Sequence, residues 1–136
     1  TASNCLGQFF VVYLYSKIEV MQQEAIVKQI SNVIFEKELE RYIQLLEEGR
    51  ERAPYKEPNW KKGQALYNKL DEEGREAFKS FLSMVMSETI SDILGYLDGI
   101  ATFEGQTEPF ELFCKGKKVS GDLQEYFLMY LEEKRV

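Results

Sequence analysis

The sequence contains no histidine. That removes the commonest general base at neutral pH, and with it every serine–histidine or cysteine–histidine nucleophile pair. The nine glycines are scattered. None opens a GxGxxG or GxxxxGK stretch, so the backbone cradle that holds nucleotide phosphates is missing. Only two cysteines occur, Cys5 and Cys114, far apart and without CxxC or Cys/His spacing. This argues against a zinc or redox motif and for a reduced, cytoplasmic setting, although spacing does not fix whether the two pair. The apolar run Phe9 to Tyr15 falls well short of the roughly 20 residues a membrane helix needs. No basic stretch precedes it and no small-residue cleavage site follows, so it does not read as a signal peptide. These absences point away from catalysis and from the membrane; no catalytic residue, metal-ligand set or cofactor is expected.

What remains is an ordinary globular composition: 136 residues, 44% hydrophobic and 29% charged, with three prolines. A chain of this size can bury a core without staples and reads as a single domain over residues 1–136. It begins with Thr1, and the first methionine is Met21, where a helical pattern starts. Residues 1–20 therefore read as a leader or an appended segment, which sequencing of the native N-terminus would test.

From Gln22 to Arg52, Ile26, Ile30, Val33, Ile34, Leu39, Tyr42, Ile43 and Leu46 recur three or four apart, the mark of a long amphipathic helix. Ser31 and Asn32 are placed to cap a second segment or kink it. Pro54 and Pro58 interrupt regular helix, and Asn59 is expected to cap a short helix from Trp60 to Leu70 that buries Trp60, Leu66, Tyr67 and Leu70. The single tryptophan, Trp60, is expected to anchor the proline-bearing segment on the core. After Asp71, one apolar stripe of Phe78, Phe81, Leu82, Val85, Met86, Ile90, Ile93, Leu94 and Leu97 predicts the core helix, ended by Asp98 and Gly99.

The period then changes. Phe110, Leu112 and Cys114 alternate with Glu111 and Phe113, and Lys115 to Lys118 form a glycine-containing turn. Leu123, Tyr126, Phe127, Tyr130 and Leu131 return to helical spacing. The expected fold is mainly α, with α+β as its variant: several packed amphipathic helices with a short hairpin or strand near residues 110–119. The run Phe9 to Tyr15 fits a strand beside that hairpin or the first turns of a helix.

Charge is unevenly spread. Residues 1–49 sum to −3, residues 50–70 to +4 and residues 71–136 to −7, giving the net −6. A basic island of Arg50, Arg52, Lys56, Lys61 and Lys62 thus sits in an acidic protein, whose field disfavours nucleic acid. Excess carboxylate speeds association with a basic protein partner. The acids near the end of the core helix and in the loops that follow, Asp92, Asp98, Glu104, Glu108 and Asp122, are the candidate partner-binding residues. Glu88 and Asp92, four apart, share a helix face that could hold a hard cation, though such a pair is more often a solvated flank. Cys114, beside Lys115, Lys117 and Lys118, could be a reactive thiol, yet its place in an alternating apolar run favours burial.

Three stretches, WKKGQALY (Trp60 to Tyr67), SDILGYLDG (Ser91 to Gly99) and SGDLQEYFL (Ser120 to Leu128), together resemble small uncharacterised bacterial helical proteins of the immunity type, which neutralise a cognate toxin by direct binding. The resemblance implies a non-enzymatic, cytoplasmic, protein-binding role. It carries over no contact residues, because such proteins use different surfaces for different toxins. The leading expectation is a protein-binding domain, in its sharpest form an immunity-like inhibitor of a basic toxin. The alternatives are a small carboxylate-based metal or small-molecule enzyme and a structural helical protein that forms homo-oligomers.

Overall fold

The computed structural model describes residues 22–48 and 58–135. Expectations placed on residues 1–20, including Cys5 and the Phe9 to Tyr15 run, and on Arg50, Arg52, Pro54 and Lys56 lie outside the described residues. The described chain is mainly helical with one short hairpin, as its periodicity predicts. Helix α1 covers residues 22–29 and runs into a π-helical segment, Ile30–Glu36. Then come α2 (Lys37–Glu48), α3 (Pro58–Lys69), α4 (Glu72–Leu97), β1 (Phe113–Cys114), β2 (Lys117–Lys118) and α5 (Leu123–Arg135). No helix among the described residues is long and apolar enough to cross a membrane.

The backbone divides into two compact units. Among the described residues, the hairpin unit comprises 22–31 and 90–135, and the three-helix unit comprises 32–48 and 58–89.

At Ser31 and Asn32, where the sequence allows a cap or a kink, the helix passes through the π-helical segment. Its i→i+5 bonding inserts one extra residue per turn and shifts the phase of the helix. Phe35 is consequently buried, whereas Val33 and Ile34, which α-spacing assigns to the core, are 46% and 52% exposed. Helix α3 starts two residues before the expected Trp60. Pro58 does not break it, because a proline at the first helical position gives up an N–H that has no intrahelical partner there; Asn59 lies inside the helix. Its buried face is Gln64 and Tyr67, while Leu66 is exposed. Half-buried Trp60 packs on Tyr42 of α2, with ring centroids 5.5 Å apart.

Asp71 caps α4. Its Oδ1 accepts the Gly74 N–H at 2.8 Å and its carbonyl accepts the Arg75 N–H at 2.9 Å, with Glu72 and Glu73 placed favourably in the first turn. The unit is then clamped around Tyr67. The Tyr67 hydroxyl donates to Glu47 at 3.1 Å, and Lys79 Nζ reaches Glu47 at 2.9 Å and Glu76 at 3.1 Å. Arg75 lies over the Tyr67 ring, 4.8 Å from its centroid, and donates from Nε to the Tyr67 carbonyl at 3.2 Å. Hydrogen bonds from Lys79 and then Tyr67 hold the Glu47 carboxyl below its usual range. Burial and then the Glu47 bond push the Tyr67 phenol up.

The single apolar stripe expected along α4 resolves into two rows. Phe78, Leu82, Met86, Ile90, Leu94 and Leu97 are wholly or partly buried, whereas Phe81, Val85 and Ile93 are exposed. Residues three and four apart share one side of a helix, so spacing alone does not separate the two rows. In the hairpin unit, Val27, Leu94, Leu123 and Phe127 form the core, flanked by Ile26, Ile30, Ile90, Leu97 and the rings of Tyr126 and Tyr130. Burial of a side chain such as Phe127 contributes about 1.5–3 kcal/mol.

The hairpin pairs Phe113 with Lys118 and Cys114 with Lys117. Its two-residue turn places Lys115 and Gly116 at φ of 51° and 77°, the positive pair that a type I′ turn demands. Cys114 is a free, exposed thiol among the described residues, against the expectation of burial. Both residues of β1 are exposed, so alternation along the strand buries neither.

Candidate functional site

The hairpin unit carries a loop, residues 98–121, whose two ends are fixed by one side chain. Helix α4 ends in a Schellman arrangement: the Ile100 N–H returns to the Gly95 carbonyl at 3.0 Å and the Gly99 N–H to Tyr96 at 3.1 Å. Gly99 takes the required left-handed φ of 73°. A Cβ there would lie 3.0 Å from Pro109 Cβ and 3.1 Å from the Phe110 carbonyl oxygen, so the returning loop packs directly on this glycine.

Asp98 then reaches across to the start of α5. Its Oδ1 accepts the N–H groups of Gly121 at 2.6 Å and Leu123 at 3.1 Å, and its Oδ2 accepts that of Gln124 at 2.8 Å. Buried Gln23 accepts the Asp122 N–H at 2.8 Å. The donors that a helix N-terminus normally leaves without partners are thus met by side chains from α1 and from the end of α4. Asp98 caps a helix far from it in sequence and closes the loop between.

Inside the loop, Phe103 to Gln106 form a turn closed by the Gln106 N–H on the Phe103 carbonyl at 3.0 Å. Gly105 at φ of 80° supplies the positive third position of a type II turn. Gln106 fixes both sides of it: its Oε1 accepts the Phe103 N–H and its Nε2 donates to the Glu108 carbonyl. On the hairpin side, buried Ser120 accepts the Leu112 N–H through Oγ at 2.9 Å.

This frame holds aromatic rings in the open. Phe103 stacks on Tyr96 with centroids 4.2 Å apart and planes at 12°, and Phe110 meets Phe103 edge-on at 6.2 Å. Phe103 is 56% exposed, and Ile100, Phe110, Leu112 and Phe113 are exposed too. Contiguous exposed apolar surface with a polar rim is the usual appearance of an interaction site.

The rim is acidic. No lysine or arginine occurs between Lys79 and Lys115. Glu111 is paired with Lys118 at 3.3 Å, while the exposed Glu104 and Glu108 carboxylates make no ion pair or hydrogen bond with other described residues. Near the start of α5, burial and then the charges of Asp122, Glu24 and Glu125 push the Tyr126 phenol up.

The five acids singled out from the sequence therefore separate by role. Glu104 and Glu108 border the aromatic cluster, Asp98 is engaged with backbone N–H groups, Asp122 stands exposed where α5 begins, and Asp92 is exposed on α4. Phe103 and Phe110 are the functional candidates that sequence periodicity missed. The available signal was large aromatics among turn formers, TFEGQTEPF, in a stretch free of basic residues.

Other concentrations of polar groups offer less. Among the described residues no group of three or more His, Cys, Asp or Glu side chains is arranged to hold a metal ion; Glu88 and Asp92 are each exposed on α4. In the three-helix unit an open groove of about 750 Å³ runs along α2, lined among the described residues by side chains such as Glu36, Leu39, Glu40, Ile43 and Glu47. Lys61 and Lys62 of the basic island are exposed on α3. Compared with protein-family models, curated proteins and solved structures, the chain matches none.

Proposed function

We propose that this chain is a non-enzymatic protein-binding domain whose contact surface is the aromatic loop between Asp98 and Gly121. The observation that carries the reading is the Tyr96, Phe103 and Phe110 cluster, framed by hydrogen bonds yet open, beside carboxylates that have no cation partner among the described residues. Exposed rings on a rigid frame lose little conformational entropy when covered, which makes aromatic side chains the usual energetic centres of interfaces. The acidic rim favours a basic partner through faster association. A cytoplasmic, immunity-like inhibitor of a basic toxin is the sharpest form of this reading, supported by the sequence resemblance together with the acidic surface.

Selection of displayed random peptides on the intact protein tests the binding role. Enrichment on the wild type that is abolished by joint Phe103→Ala and Phe110→Ala substitution is the expected result. Failure to enrich, or peptides that bind the variant equally well, contradicts it. For the inhibitor form, the product of a neighbouring gene should arrest growth when expressed alone, and co-expression of this chain should restore it.

A further inference from the structure

Resting on that reading, we infer that the loop receives an arginine side chain, carried by a basic segment of the partner protein with apolar residues beside it. An aromatic ring presents a negative face that attracts a cation lying over it. Phe103 is held flat on Tyr96 at 4.2 Å and keeps more than half of its surface open. Glu104 is the next residue in the chain and Glu108 lies at the far side of the Phe103 to Gln106 turn. Both carboxylates are exposed and without a cation among the described residues. The chain supplies no basic residue of its own between Lys79 and Lys115, and the neighbouring Lys118 is occupied by Glu111.

Arginine fits this chemistry better than lysine. Its planar guanidinium stacks on a ring while its N–H fork engages a carboxylate, and it sheds water more easily than an ammonium does. Exposed Ile100 and Phe113 give apolar neighbours of that arginine something to cover. A nucleic acid could stack bases on the same rings, but Glu104 and Glu108 beside Phe103 would repel its phosphates, and the lysines of the loop, Lys115, Lys117 and Lys118, are confined to the hairpin and not interleaved with those rings as a strand-binding surface requires.

The test uses the full chain and four probes: a short synthetic peptide alternating arginine with leucine, its lysine and glutamate counterparts, and a single-stranded oligonucleotide. Binding is followed by titration calorimetry and amide NMR shifts. The arginine peptide should bind about ten-fold more tightly than the lysine peptide and shift residues 100–113. Phe103→Ala, or Glu104→Gln with Glu108→Gln, should each weaken it at least about five-fold. Phe103 and both glutamates are exposed, so these variants keep the fold, and unchanged circular dichroism checks it. Equal affinity for arginine and lysine peptides, shifts confined to other regions, indifference to Phe103→Ala, binding of the oligonucleotide at the loop, or no peptide binding overturns the inference. The protein-binding reading falls separately, through the displayed-peptide selection; peptides without arginine that still depend on Phe103 and Phe110 would leave that reading standing while sinking this one.

Discussion

The two compact units differ in how they use most of their aromatic residues, exposed Phe81 on α4 being the exception in the three-helix unit. In the three-helix unit Tyr67 is 1% exposed, Phe35 is buried, and Tyr42 and Trp60 pack on each other. Charged side chains such as Glu47, Arg75 and Lys79 finish the packing around Tyr67. In the hairpin unit Phe127 fills the core, but Phe103, Phe110 and Phe113 are left in the open. The bonds that frame that loop run from side chains to backbone, from Asp98, Gln23, Gln106 and Ser120. A tyrosine hemmed in by ion pairs is structural. Rings left in the open, at the cost of apolar surface in water, are the kind of surface that a partner covers, which is the ground of the proposed binding role.

Phe127 and Phe103, the same residue type in the same unit, give the sharpest contrast. Phe127→Ala should cost about 3–5 kcal/mol in chemical denaturation, because it empties a fully buried position. Asp98→Ala comes next, with a loss of about 2 kcal/mol from orphaning N–H groups at the start of α5, and with broadened NMR signals through residues 99–120. Asp98→Asn, which retains one acceptor oxygen, should lose less. An Asp98→Ala protein as stable as wild type would break the claim that this side chain closes the loop.

A smaller effect is expected in the three-helix unit and depends on pH. The folded-state pKa of Glu47 lies below its ordinary value of 4.5, so the carboxylate's contribution is fully present above that value and is lost as pH falls through the folded one. Trp60 is the only tryptophan, and its fluorescence reports this unit. Glu47→Gln should flatten the acid limb of the fluorescence-monitored stability curve and lower the stability measured at neutral pH. The smallest stability effect belongs to Phe103→Ala, within about 0.5 kcal/mol of wild type, as for an exposed position outside the core. Charge reversal at Glu104 and Glu108 should likewise spare stability, but slow association with a basic peptide and reduce its salt dependence.

Helix periodicity made most of the secondary structure legible: the core row of α4, the faces of α5 and the lysine-rich hairpin turn all follow from spacing. Two things escaped it. The π-helical segment shifts the phase between Ile30 and Phe35, and no residue type marks such a shift, so Val33 and Ile34 were assigned inward. The two rows of α4 lie at helical spacing from each other, so spacing alone does not tell exposed Phe81 and Val85 from the buried positions. The candidate site was half legible. Its acids were visible as a run without basic residues to balance them, but a loop has no period. Whether Phe103 faces inward or outward depends on the Gln106 turn and on Asp98 bonding to Gly121, Leu123 and Gln124, contacts that spacing does not encode.

The most direct test compares one peptide, selected on the wild-type protein, for its affinity to wild type and to the Phe103→Ala, Phe110→Ala variant, with both shown to be equally stable. Loss of affinity by at least about thirty-fold, near 2 kcal/mol, is the predicted result. Equal affinity for the two proteins would contradict the assignment of the aromatic loop as the binding surface.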